Sequence, residues 1–323
     1  MFNLYHGPKA VVFFITYKCD AHCKMCSAWT KQKQDSELSL NEIEDIFKDP
    51  GLSTSLQVVN ITGGEPTLRP DLSEIVKILI RHCINLRRID IPTNGFNTEN
   101  VIDQIEKILA LLTPTDVKLA VTFSVDGIGA SHDRVRGVSG GFEKLVSTLH
   151  ELKGFLRIYS NLSISLNTTI SRYNYSALEE ILMFARQENI NPNFTPAALS
   201  EIGSESKLFF EQFSLDADAR DTVIAFLKQG ASENILNSNY IQFVTGWLRT
   251  GMRNARCNFR NRNVFLLEPS GEAYLCGNFK DMYMGKLKKE SFSGAWANIK
   301  RIPHNAWKRC LNCASNCYMY ERL

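Results

Sequence analysis

VVFFITYKCDAHCKMC, running from Val11 to Cys26, is the stretch that decides the fold. Its first six residues, Val11 to Thr16, are β-branched or aromatic but for none that breaks a strand, and they read as one. That strand delivers a loop in which Cys19, Cys23 and Cys26 stand at the spacing C-x3-C-x2-C. Three closely spaced soft sulfurs suit an iron-sulfur cluster, because each thiolate binds one iron. A cubane has four irons, so three protein ligands leave one iron open, as a catalytic metal site is left open. A zinc knuckle is the plainer alternative. Its only local fourth ligand is His22, which adjoins Cys23 and could chelate the same tetrahedral ion only under strain. Nine cysteines without a signal peptide point to a reducing compartment, the cytoplasm, rather than to a disulfide framework.

Outward from that stretch, strand-like runs recur at Gln57 to Thr62, Arg88 to Thr93, Lys118 to Val125, Leu162 to Thr169 and Asn193 to Pro196. Helical patterns separate them, at Leu40 to Lys48 behind the cap Ser39, Asp71 to Cys83, Thr98 to Leu112, Gly141 to Lys153 and Tyr175 to Glu188. Such alternation implies an α/β chain with a parallel sheet and crossover helices. The strands are too few for a closed eight-stranded barrel, so the reading is an open, partial (β/α)6 barrel. In parallel barrels chemistry gathers at the carboxyl ends of the strands. Gly63-Gly64-Glu65-Pro66, Thr93-Asn94-Gly95 and Ser124-Val125-Asp126-Gly127 all fall at that rim, together with the cysteine loop. Glycine pairs let a backbone approach a ligand closely, and Glu65 offers a carboxylate to a cationic amine. The competing account of each is ordinary turn chemistry. Cys83, isolated in a helix, reads as a buried apolar residue.

The cysteine spacing followed by Gly63-Gly64-Glu65-Pro66 resembles the radical S-adenosylmethionine (SAM) superfamily. The resemblance implies a partial barrel whose [4Fe-4S] cluster chelates the amino and carboxylate groups of SAM through its free iron. It also implies reductive cleavage of SAM to a 5′-deoxyadenosyl radical that removes a substrate hydrogen. By this likeness Gly63, Gly64 and Glu65 face the methionyl amino group, and Asn94 and Ser124 lie near the ribose and carboxylate. The run His132 to Gly137 resembles the segment after the fourth strand in many such enzymes. Arg136 there could pair with the SAM carboxylate or be a solvated loop arginine. Asn167, in the fifth strand, is either a further SAM contact or a polar strand-end residue. No residue stands out as a catalytic base; Glu268, Tyr274 and Asp281 read as structural.

A second cysteine set lies near the carboxyl terminus, where Cys257 and Cys276 bracket Gly271 as C-x13-G-x4-C, followed by Cys310, Cys313 and Cys317. This pattern resembles the SPASM and twitch auxiliary-cluster domains. Val264 to Glu268 and Glu272 to Leu275 flank Pro269-Ser270-Gly271 and predict a hairpin presenting both cysteines. A full SPASM domain carries more cysteines than these, so one auxiliary [4Fe-4S] cluster of twitch type is expected. Its first-choice ligands are Cys257, Cys276, Cys310 and Cys313, with Cys317 able to replace one of them. A zinc site of C-x2-C type is the alternative. The arginines Arg249, Arg253, Arg256, Arg260 and Arg262 beside Cys257 either offset cluster charge or bind an anionic substrate group. The expected domains are the barrel over 1–200, a helical linker over 201–256 with stripes at Leu208-Phe209-Phe210 and Val223 to Leu227, and the auxiliary domain over 257–323.

Composition excludes some classes. Hydrophobic residues make up 44% and charged residues 22%, as in a soluble globular protein. No run approaches the ~18 apolar residues of a membrane span, and a net charge of +3 is too small to imply nucleic-acid binding. The expected partners are a small-molecule or peptide substrate and an electron donor such as flavodoxin or ferredoxin. Oxidation of a small molecule or sugar leads, with peptide maturation by cross-linking or epimerisation behind it. Little chain precedes Cys19, which counts against a separate leader-binding module. A non-catalytic electron carrier leaves Gly63-Gly64-Glu65 without a purpose.

Overall fold

The computed structural model describes residues 7–32, 37–197, 211–255, 257–301 and 313. The Leu208–Phe210 stripe, Arg256, Cys310 and Cys317 lie outside the described residues. Strands and helices alternate as the sequence predicts: β1 Ala10–Thr16, α1 Leu40–Phe47, a short α2 Pro50–Ser53, β2 Val58–Gly63, α3 Leu72–His82, β3 Arg88–Thr93 and α4 Thr98–Leu112. They continue as β4 Lys118–Ser124, α5 Ala130–Arg136, α6 Gly141–Phe155, β5 Leu162–Ile170, α7 Leu178–Gln187 and β6 Asn191–Pro196. Ser39 caps α1 through a capping box, its hydroxyl accepting from the Glu42 amide at 3.3 Å and its own amide donating to the Glu42 carboxylate at 2.8 Å.

Each strand from β1 to β6 pairs in parallel with the next. One face is apolar: Phe13, Ile61, Ile91 and Val121 are fully buried against helices that contribute Ile43, Ile75, Ile105, Leu149 and Ile181. Each such side chain contributes about 1.5–3 kcal/mol of burial. The opposite face carries Asn60, Asp90, Thr122, Ser165 and Asn193. Parallel strands covered on both faces read as continuous hydrophobic runs. β3, β4 and β5 alternate instead, because only the convex side of the open barrel is covered by helices, whereas β1 is apolar on both faces.

Two elements differ from expectation. α7 begins at Leu178 because Tyr175–Ala177 winds as a tighter 3-10 turn. The segment after the fourth strand is not a loop but the helix α5, set between Gly129 and Gly137. Beyond β6, helices Ala217–Ser232 and Ser238–Thr250 lead to β7 Val264–Leu267, β8 Glu272–Tyr274 and β9 Tyr283–Lys286. The expected hairpin forms, with the Gly271 amide donating to the Glu268 carbonyl at 2.9 Å across the turn. Its first strand lies parallel to β1, pairing Ala10 with Val264 and Phe13 with Leu267. One sheet therefore runs β6-β5-β4-β3-β2-β1-β7-β8-β9.

Candidate active site

Because β1 to β4 are parallel, the segments leaving their carboxyl ends meet at one rim. There Cys19, Cys23 and Cys26 line a cavity of about 340 Å³ with Gly63, Gly64, Glu65, Asn94, Ser124 and Arg136. Asn167 faces a neighbouring cavity of about 610 Å³ inside the barrel. The two spaces share Thr62, Pro92 and Ser124 as a common wall.

The cysteine loop is held from three sides. The Gly64 amide donates to the Thr16 carbonyl at 2.8 Å and the Glu65 amide to the Lys18 carbonyl at 2.8 Å, clamping the chain that enters Cys19. A side chain on Gly64 would place its Cβ 2.1 Å from the Lys18 carbonyl oxygen, so this clamp admits only glycine. From the second side, the His22 and Lys24 amides donate to the Arg136 and Val135 carbonyls at 3.0 and 2.9 Å. These are terminal carbonyls of α5, which would otherwise lack partners. Gly137 ends that helix at φ 70°, and a Cβ there would lie 2.6 Å from the His22 carbonyl oxygen. The third side is Asn94, whose amide group donates to Asp20 at 2.6 Å and accepts from the Phe96 amide at 2.9 Å. At the base, buried Arg69 donates to the carbonyls of Ile15 and Leu38 at 2.7 and 2.6 Å and pairs with Asp71 at 2.7 Å. It ties together the chain before and after the loop.

Burial is the main electrostatic fact at the rim. Desolvation pushes the Cys19 and Cys23 thiols well above their ordinary range. Arg136 works against this at Cys23, with its guanidinium 3.6 Å from the sulfur, while Asp126 pairs with Arg136 at 2.6 Å. The Ala28 amide points at the Cys26 sulfur from 3.4 Å. Sulfurs that cannot shed their protons to water but receive N–H donors suit a soft cation that replaces the proton. His22 packs edge-on against Trp29 at 4.9 Å.

Glu65 is buried beside the cysteines. One oxygen, Oε1, accepts from the hydroxyls of Thr67 and Thr93 at 2.8 and 2.9 Å and from the Thr67 amide at 3.3 Å. The other, Oε2, accepts from the Asn94 amide at 2.7 Å. Desolvation nevertheless raises its pKa to about 7. A carboxylate has about four lone-pair sites, so Oε2 keeps room for one more donor.

At the second cysteine set, Cys257, Cys276 and Cys313 are described. The Arg260 amide donates to the Cys257 sulfur and the Asn278 amide to the Cys276 sulfur, each at 3.5 Å; the Asn278 side chain reaches the Cys313 sulfur at 3.2 Å. Arg253 stacks on Phe243 at 4.7 Å and donates to the Cys313 carbonyl at 3.5 Å, whereas Arg249, Arg260 and Arg262 are exposed. Cys83 is buried, and burial raises its thiol to about 12. Sequence reasoning missed the supporting residues Asp20, Thr67 and Arg69, and it gave Thr93 no role beyond its place in the rim run Thr93-Asn94-Gly95. It left Asp126 between a rim motif and ordinary turn chemistry, and left open whether Arg136 was solvated; the two form a buried ion pair.

The chain matches the model of the radical SAM superfamily over residues 13–185. It is 24% identical to the mycofactocin maturase MftC of Mycobacterium tuberculosis, across 98% of this chain and 77% of that protein. It is also 24% identical to the pre-heme d1 synthase of Dinoroseobacter shibae, across 95% of this chain and 80% of that one. Among solved structures, native anSMEcpe with bound AdoMet superposes with a TM-score of 0.65 at 15% identity, covering 95% of this chain and 89% of that one. With the cysteine loop, the Gly-Gly-Glu clamp and the open barrel assembled at one rim, the chain belongs to the radical SAM superfamily.

Proposed function

We propose that this radical SAM enzyme performs an oxidoreductase-type modification of a small molecule, assisted by one auxiliary [4Fe-4S] cluster. Its family brings a [4Fe-4S] cluster and SAM. When bound, the reduced cluster would supply one electron to SAM, whose carbon-sulfur bond would break to release methionine and the 5′-deoxyadenosyl radical that takes a substrate hydrogen. The chain's own residues place and shield that chemistry. Cys19, Cys23 and Cys26 would hold three irons, and Oε2 of Glu65 would receive the methionyl ammonium beside the backbone of Gly63 and Gly64. Ser124 and Arg136 complete the pocket near ribose and carboxylate. Asn94 acts by positioning Asp20 and the loop. Asn167 faces the lumen and Thr195 rather than the cysteines, which suits contact with the far end of SAM or with substrate.

The observation that carries this reading is the shared wall of Thr62, Pro92 and Ser124 between the cysteine cavity and the larger lumen. A substrate lodged in the lumen presents its C–H bond to the space where the radical arises. We assign the auxiliary cluster to Cys257, Cys276, Cys310 and Cys313, with Cys317 as a substitute, in a twitch-like unit over 257–323. The N–H groups aimed at three of those sulfurs support it. Such a cluster would accept the electron left on the substrate, and a flavodoxin or ferredoxin in the cytoplasm would supply the first. Peptide maturation is the second reading, favoured by the likeness to MftC, which spans 98% of this chain and 77% of that protein.

Iron content tests the assignment. The reconstituted protein should hold about eight irons, and Cys257→Ala with Cys276→Ala should leave about four while SAM cleavage to 5′-deoxyadenosine persists. Four irons in the unaltered protein would remove the auxiliary cluster from the reading.

A further inference from the structure

The lumen has a distinctive electrical character. Its wall carries hydroxyls from Thr122, Ser163 and Ser165 and carboxamides from Asn60, Asn167 and Asn193. Among the described residues its charged side chains are Arg88 and Asp90, which form an ion pair with Nε 2.8 Å from Oδ1 and Nη2 donating to Oδ2 at 3.2 Å. Both lie toward the amino-terminal end of β3, so the pair forms the floor opposite the cysteine rim. Tyr240, also on the wall, stays neutral because burial pushes its hydroxyl to about 12. Val12 and Phe14 add one apolar strip on β1.

Among the described residues that line this space, an anionic group entering it would lose its hydration and meet no uncommitted cation. A hydroxyl both donates and accepts, so it matches every carboxamide and hydroxyl on the wall, while the strip of Val12 and Phe14 can take the C–H face of a ring. A bound peptide strand would usually gain its affinity from a free sheet edge, and the lumen offers side chains instead. The volume of about 610 Å³ falls within the range of about 300–1,000 Å³ typical of small-ligand sites.

Taking the lumen as the substrate seat of the proposed function, we propose that it binds an uncharged, polyhydroxylated substrate portion of sugar size, and that the Arg88–Asp90 pair sets this selectivity by keeping the floor neutral. The pair excludes phosphorylated or carboxylated analogues by leaving them no counter-ion.

The test uses the cluster-loaded protein with SAM and three kinds of probe: uncharged methyl glycosides, their 6-phosphates, and an N-acetylated dipeptide amide. Binding is read by saturation-transfer NMR with competition. Glycosides should bind, and their phosphates should bind at least about tenfold more weakly, a difference of about 1.4 kcal/mol. Asp90→Asn frees Arg88 and should reverse that order. Thr122→Val, which keeps the volume and removes one hydroxyl, should weaken glycoside binding about fivefold, as the loss of one neutral hydrogen bond does. It stands as the second variant should Asp90→Asn fail to fold. Absence of glycoside binding, equal binding of the phosphates, or tighter binding of the dipeptide amide would overturn the proposal. Cleavage of SAM without substrate, measured in the same samples, reports on the radical chemistry separately.

Discussion

Glu65 keeps one acceptor site free while sitting out of water, and that combination has a measurable signature. Below pH of about 7 its carboxyl holds a proton, which an incoming ammonium must displace. SAM affinity should therefore rise with pH up to about 7 and level off above it, because the ionised form is the one that binds. Glu65→Gln should abolish this slope and weaken SAM binding by about 1.5–3 kcal/mol, the worth of a charged hydrogen bond. Titration calorimetry across pH 6 to 8 checks both, and unchanged affinity would sink the assignment. The cysteines and the Gly-Gly-Glu run were legible because their chemistry is carried by residue type and spacing alone. Arg136 and Asp126 were not: an arginine or aspartate in a polar segment is exposed by default, and only the tertiary approach of α5 to the cysteine loop buries them. Nor was Asp20, half-buried, whose partner Asn94 comes from the far end of β3.

At the scale of elements, α5 is the support most directly under the cysteines. Gly137→Ala should cost about 1–2 kcal/mol from its left-handed backbone, and the added Cβ pushes on the His22 carbonyl. Iron incorporation at the first cluster should fall while far-ultraviolet circular dichroism stays near that of the unaltered protein. The same helix carries His132, buried between Phe96 and Phe142 with Nδ1 accepting from the Asp126 amide. Burial holds its pKa down to about 3. The unfolded chain takes up a proton below about 6.5 that the folded one refuses. The stability it contributes is therefore complete above about pH 6.5 and drains by about 1.4 kcal/mol per unit as pH falls toward 3. His132→Gln should flatten that limb in urea titrations. Strands and most helices were readable from their periods, with bounds shifted by a residue or two. α5 was not, since its short polar run between glycines has no apolar stripe to reveal a helix.

At the scale of the whole molecule, the six-strand alternation was plain in the sequence, but the neighbour of β1 was not. Pairing of β1 with β7 joins residues 10–13 to 264–267, and nothing in local pattern announces a contact across that separation. Its consequence concerns biosynthesis. β1 is made before the other described strands and can pair on one side as soon as β2 follows, yet its other flank stays unmatched until residue 264 is made. During that interval the nascent chain exposes an apolar strand edge, the kind of template that recruits other chains. A chain truncated after Gly251 should consequently self-associate, elute in the void volume on size exclusion and require a chaperone to remain dispersed, whereas the complete chain should not. A monomeric truncation product would mean that the flank is guarded by something else. In the folded protein β7, made long after β1, acts as the stopper for it.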